Sequence, residues 1–112
     1  MTSTVWSLTT TLPTHDDAIT LARAVVAARL AAGAEVTGPA ETVYWHEGKL
    51  GEGQEWRLTC RTSEAARDAL AALIAQRHPW GNPEITANPV AWSTEAYADW
   101  VTAATAESAS TS

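Results

Sequence analysis

Residues 4 to 12 alternate. Trp6, Leu8, Thr10 and Leu12 fall on one side, and Val5, Ser7, Thr9 and Thr11 on the other. A period of two with β-branched residues predicts a strand, which Pro13 ends. Thr14 then stands as a helix cap, with Asp17 three positions on and Asp16 beside it, favoured by the helix dipole. Ile19, Ala22, Val26 and Leu30 recur at helical spacing and predict one buried stripe. Arg23 and Arg29 are expected to look outward, and Gly33 to form a left-handed C-terminal cap.

Glu35 to His46 is a second extended segment, irregular at Gly38-Pro39 and strand-like from Glu41. The glycines between Gly48 and Gly53 predict a turn. Gln54 to Thr62 gives the cleanest strand: Trp56, Leu58 and Cys60 face one way, while Glu55, Arg57, Thr59 and Arg61 face the other. Such alternation belongs to a sheet with one face on a core and one face polar. Ser63 opens a second helix with Ala66, Leu70, Leu73, Ile74 and Arg77 on helical spacing, and Pro79 stops it. Glu84 to Trp92 reads as a fourth strand, pushed to a sheet edge by Pro83 and Pro89. Ser93 or Thr94 caps a short third helix containing Tyr97, Trp100, Val101 and Ala104, and the chain is expected to fray from Ala103.

The order is β-α-β, a hairpin, then β-α-β with a trailing helix. Two interlocked crossovers of this kind predict an α+β, ferredoxin-like βαββαβ sandwich with an extra C-terminal helix. It spans residues 1–106 as a single domain, with 107–112 as a flexible tail. Both crossover helices cover one sheet face and leave the other bare. The hairpin around residues 41 to 62 is long for so small a sheet, and unpaired strand length invites pairing with another chain, so an oligomer is expected.

Composition narrows the function. A chain of 112 residues, 46% hydrophobic and 18% charged, builds one real core. A net charge of −6 without a basic stripe argues against nucleic acid as partner. No stretch approaches the ~20 apolar residues of a membrane span. The start lacks the basic and apolar regions of a secretory signal, and one cysteine, Cys60, forbids an internal disulfide, so a cytoplasmic location is expected. Six tryptophans and no phenylalanine place indole rings where Phe would otherwise pack, and some of those rings should lie at interfaces.

The densest chemistry lies in His78-Pro79-Trp80-Gly81-Asn82-Pro83-Glu84-Ile85. A plain connector needs only turn residues, whereas this one gathers an imidazole, an indole and a carboxylate on a stiff frame. His78 is a candidate metal ligand or general base, or a cap on the helix before it. Glu84 is a candidate cation ligand, or a partner for loop amides, Lys49 or Arg61. Tyr44 and Trp45 either stack a planar ligand or pack between subunits. His46, at the hairpin, needs Glu47 or another subunit to make a metal site. Cys60 reads as a small buried hydrophobe. The chain has no Cys-x-x-Cys or His-x-x-x-His spacing for a metal cage, no phosphate loop and no nucleophile elbow.

Tyr44-Trp45-His46-Glu47-Gly48-Lys49-Leu50 and the His78 to Ile85 loop together resemble the CutA divalent-cation tolerance family. That family's hairpin commonly reads Tyr-Trp-Trp-Glu-Gly-Lys-Ile and its loop His-Pro-Tyr-Glu-x-Pro-Glu-Ile. Ala28-Arg29-Leu30-Ala31-Ala32 is similar to its Glu-Arg-Leu-Ala-Ala, and Tyr97-Ala98-Asp99-Trp100 to its closing Tyr-x-x-Trp. The likeness runs from about residue 5 to residue 102. It implies a tight homotrimer joined through the long hairpin, a link to tolerance of copper and other divalent ions, and no established catalysis. It also implies a likeness to the trimeric PII signalling proteins, which bind small ligands between subunits.

The departures matter. Where the family often has Cys-x-Asn, this chain has Gly33 and Glu35, so a thiolate site is absent there. His46 replaces a tryptophan, Trp80 a tyrosine and Gly81 a glutamate. The leading expectation is therefore a non-enzymatic homotrimeric metal-response module that needs no cofactor and binds a divalent cation such as copper weakly. Its site would lie between subunits, with His78 and Glu84 toward metal and Tyr44, Trp45, Glu47, Lys49 and Trp80 around the ligand. The alternative is a PII-like sensor of a small anionic metabolite, with Lys49, Arg57 and Arg61 supplying positive charge. An enzyme using His78 and Glu84 as an acid–base pair, and a purely structural trimer, are the remaining expectations.

Overall fold

A computed structural model of the chain describes residues 4–110. The elements are β1 (Val5–Leu12), α1 (His15–Ala27), β2 (Gly33–His46), β3 (Lys49–Ser63), α2 (Glu64–Arg77), β4 (Ile85–Pro89) and α3 (Glu95–Ser110). The four strands form one sheet in the order β2-β3-β1-β4, with every neighbouring pair antiparallel. β2 thus runs parallel to β1 across β3, and β4 parallel to β3 across β1. This is the split βαββαβ arrangement that the sequence predicts.

The alternation in β1 and β3 explains why the sheet has a dry face. Thr10 pairs with Leu58, Leu8 with Cys60 and Leu12 with Trp56, so these side chains line up beneath the helices. Ala18, Leu21, Ala22 and Val25 of α1 and Leu70 and Ile74 of α2 close over them. Leu8, Leu12, Leu58, Leu70 and Ile74 are each at most 1% exposed, and burial of each such side chain is worth about 1.5–3 kcal/mol. Thr14 Oγ1 accepts from the Asp17 amide at 3.1 Å and Ser63 Oγ from the Ala66 amide at 3.2 Å, so both helices start where the sequence puts their caps.

Four local expectations are corrected. The buried stripe of α1 is Ala18-Leu21-Ala22-Val25, and Val26 is 38% exposed. Leu30 is not on the helix: α1 ends at Ala27 and Leu30 is set into the core by the turn that follows, so it gives a false phase for the stripe. The left-handed residue of that turn is Arg29, with φ 59°, and Gly33 instead begins β2. The segment from Gly48 to Gly53 is not a loop. The chain reverses in two residues, Glu47 (φ 51°) and Gly48 (φ 77°), the geometry of a type I′ hairpin turn. Gly51 and Gly53 lie within β3. Lastly, β4 is shorter than expected, Ile85–Pro89.

The face away from α1 and α2 is only partly open. α3 lies across one end of it, where Val5, Ala98 and Val101 form a second small core with Ala32 and Val90. The buried Thr105 hydroxyl sits 2.8 Å from that of Ser63, the residue that caps α2, and Arg29 donates to the Ala104 carbonyl at 3.2 Å. α3 continues to Ser110, past Ala103 where fraying is expected; residues 111 and 112, the end of the expected tail, lie outside the described residues.

β1 pairs with β3 only from Trp56 to Ser63. Before Trp56, β3 has β2 alone as a partner, so residues 40–46 and 49–55 form a two-stranded arm beyond the body of the sheet. The arm makes the molecule elongated, 48 × 28 × 22 Å.

Candidate functional site

The candidate residues fall in two places, at the start of the loop after α2 and at the tip of the arm. His78 is the last element of the helix-to-loop transition and is 9% exposed. Its Nδ1 accepts from the Trp80 amide at 3.1 Å. The Nε2 must therefore carry the proton, and it donates to the Thr11 carbonyl at 2.7 Å. Both ring nitrogens are thus committed to backbone groups of the same chain. His78 pins the loop to the end of β1 and does not cap α2 through its last carbonyls. Trp80 packs beside it, ring centroids 5.3 Å apart, and keeps 37% of its surface exposed. Glu84 is exposed and accepts from the Thr86 hydroxyl at 2.9 Å.

The arm is the opposite. Its tip turns through Glu47-Gly48, and His46 pairs with Lys49 across the turn. His46 Nε2 and Glu47 Oε1 stand 3.8 Å apart, with side chains 73% and 85% exposed. Val43, Trp45 and Leu50 are 63%, 76% and 65% exposed. A shallow hollow of about 220 Å³ gathers Tyr44, His46, Glu47, Lys49, Leu50 and Gly51. Tyr44 lies across the arm on the cross-strand Gly51: a Cβ at Gly51 would come within 2.6 Å of its ring, and one at Gly53 would lie 3.8 Å from its hydroxyl. Gly51 is there to seat an aromatic ring, a role invisible in a sequence where it reads as part of a turn, whereas Gly53 makes only an ordinary contact. One ring face of Tyr44 is therefore used within the chain.

The expected groupings are partly assembled. Tyr44, Glu47 and Lys49 share the hollow, whereas Trp45 and Trp80 do not line it. Among the described residues, no group of three His, Cys, Asp or Glu side chains converges as a metal site. His78 has no free lone pair, so the donors of a single chain do not fit a divalent cation. Lys49, Arg57 and Arg61 lie along one strand, and the twelve steps from Lys49 to Arg61 span roughly 40 Å at ~3.3 Å per residue. Arg61 donates to the Ser7 hydroxyl at 3.1 Å and lines a separate hollow of about 230 Å³ with Glu35, Thr59 and Tyr97. These cations do not converge on one anion. Cys60 is fully buried, and desolvation pushes its thiol from 9.0 up to about 12 against the lowering effect of Arg61; it is inert as a soft-metal ligand near neutral pH. Sequence reasoning missed the Thr11 carbonyl as the anchor of His78, because a backbone acceptor leaves no mark in residue type. Among the described residues, no helix is long and apolar enough to cross a membrane.

Comparison with known proteins agrees with the motif likeness. The family model described as CutA1 divalent ion tolerance protein matches residues 6–104. The divalent-cation tolerance protein CutA of Thermus thermophilus is 34% identical over 91 residues, covering 81% of this chain and 88% of that protein. The chloroplastic protein CutA 1 of Oryza sativa is 32% identical over 98 residues, 88% of this chain, which spans only 55% of the rice protein. Among solved structures, CutA from Synechococcus elongatus is 31% identical with a TM-score of 0.87, covering 93% of this chain and 92% of that one. CutA1 from Oryza sativa is 29% identical with a TM-score of 0.88, covering 93% and 95%. With the motifs in order, the fold shared and the family model matching residues 6–104 of this chain, the chain belongs to the CutA1 divalent ion tolerance family.

Proposed function

We propose that the protein is a cytoplasmic, non-enzymatic divalent-cation tolerance module that works as a homotrimer. The observation that carries this is the arm: two paired strands, extending past β1 and ending in the exposed Trp45 and Leu50, present apolar surface and free strand edges that a second copy would cover. The trailing helix shields only one end of the open sheet face, so the rest adds to the same interface.

Metal enters this proposal as cargo held between copies. His46 and Glu47 at the tip, with Glu84 from a neighbour, supply exposed nitrogen and oxygen donors; His78 joins only by releasing the Trp80 amide. Tyr44, Trp45, Lys49 and Trp80 then shape the intersubunit surface. Without a thiolate cluster, Cu²⁺ is bound in the micromolar range or more weakly. Sedimentation should give three times the 11.9 kDa subunit mass at low micromolar concentration, and calorimetry should give saturable heat with Cu²⁺ that His46→Ala reduces. A particle of single-subunit mass would end the trimer proposal, and absence of heat at millimolar Cu²⁺ would end the metal part.

A further inference from the structure

A groove between α1 and the end of α2 lies away from the arm and adjoins the His78 loop through Pro79. It has a volume of about 230 Å³. Leu12, Leu21, Ala24 and Pro79 supply its apolar lining, with Leu12 and Leu21 themselves almost fully buried. Asp17 stands on one wall and Arg77 on the other. Asp17, Leu21 and Ala24 fall on one stripe of α1 by helical spacing. The Asp17 backbone is fixed by the amide bond to Thr14 Oγ1. Yet its carboxylate and the Arg77 guanidinium make no ion pair with each other or with any other described residue.

We propose that this groove binds a small zwitterion, an α-amino acid with a short branched apolar side chain. The two charges of the ligand complement the two of the groove. The α-ammonium is received by the Asp17 carboxylate and the α-carboxylate by the guanidinium fork of Arg77, whose paired donors suit a carboxylate. The aliphatic side chain lies on Ala24 and Pro79, above the buried Leu12 and Leu21. The volume suits a ligand of this size. This site shares Pro79 with the His78 loop but uses none of the metal donors proposed above, so it stands or falls independently of the metal proposal.

The test is amide chemical-shift titration of the intact protein with leucine, isoamylamine and 4-methylpentanoate. Leucine should give saturable shifts centred on residues 12–24 and 77–79, with a Kd of about 1 mM. Each half-ligand, lacking one charge, should bind at least about tenfold more weakly, the loss of one charged contact. Asp17→Asn and Arg77→Gln should each weaken leucine by a similar factor while leaving the melting temperature of the free protein within a few degrees. No saturation by ~20 mM leucine, equal binding of leucine and either half-ligand, or unchanged binding in both variants would overturn the proposal. The half-ligand comparison decides the matter even if a variant fails to fold.

Discussion

The His78 loop and the hairpin tip each carry a histidine, a tryptophan and a glutamate, yet they are built for opposite ends. At the loop, the imidazole is buried and both its nitrogens are spent on backbone partners. At the tip, the side chains of His46 and Glu47 are exposed and stand 3.8 Å apart. Residue type alone ranks the loop as the site, because it is the richer motif. Geometry reverses the order: a histidine that satisfies its own chain holds structure, and one left in water is available to a ligand or a neighbour.

The largest expected effect comes from breaking the loop's side of this contrast. His78→Ala removes the donor to a buried Thr11 carbonyl and the acceptor of the Trp80 amide, and should cost about 2–4 kcal/mol in urea unfolding, while leaving Cu²⁺ heats nearly unchanged wherever the protein remains folded. Gly51→Ala sets a methyl against the Tyr44 ring, where a Cβ meets it at 2.6 Å. The ring is partly exposed and can lift, so the cost should be about 1–2 kcal/mol, with weakened assembly as the companion readout in sedimentation. Trp45→Ala, at the tip, should change the stability of the subunit by less than about 0.5 kcal/mol and yet shift the particle toward single subunits. Equal stability losses for His78→Ala and Trp45→Ala would erase the contrast.

Cys60 offers a smaller, pH-dependent check on the body that both regions hang from. Burial raises its folded pKa from 9.0 to about 12. The unfolded thiol therefore ionises first as pH rises, and the stabilising contribution, complete below pH 9, is lost progressively between 9 and 12. Urea midpoints should fall over that window in the native protein and fall less in Cys60→Ala. Thiol-reactive dye at neutral pH should label Cys60 only after denaturation.

Much of the fold is legible because it follows from periodicity. Leu58 and Cys60 declare the buried face of β3, Thr14 and Ser63 declare helix starts, and Pro83 and Pro89 declare an edge strand. The errors share a cause: each treats a residue by its commonest local role when the folded backbone gives it another. Gly51 makes room for Tyr44 across the ladder, and Leu30 is placed by the turn after α1. Arg29 takes the left-handed position expected of Gly33, and the Arg29 side chain reaches the Ala104 carbonyl. The site was legible as a list of residues but not as an arrangement, since exposure and hydrogen-bond commitment depend on the assembled backbone. Of that list, Tyr44, Glu47 and Lys49 are neighbours because they face one another across a hairpin, the one proximity that sequence order guarantees.

The link between Thr105 and Ser63 sets a practical limit on how this protein can be re-engineered. The hydroxyl that starts α2 is also the one that anchors the closing helix. A fusion or affinity tag attached after Ala106 leaves that junction intact. A truncation that removes Thr105 takes away one anchor of the closing helix and, at the same serine, a partner of the hydroxyl that caps a helix some forty residues earlier in the chain.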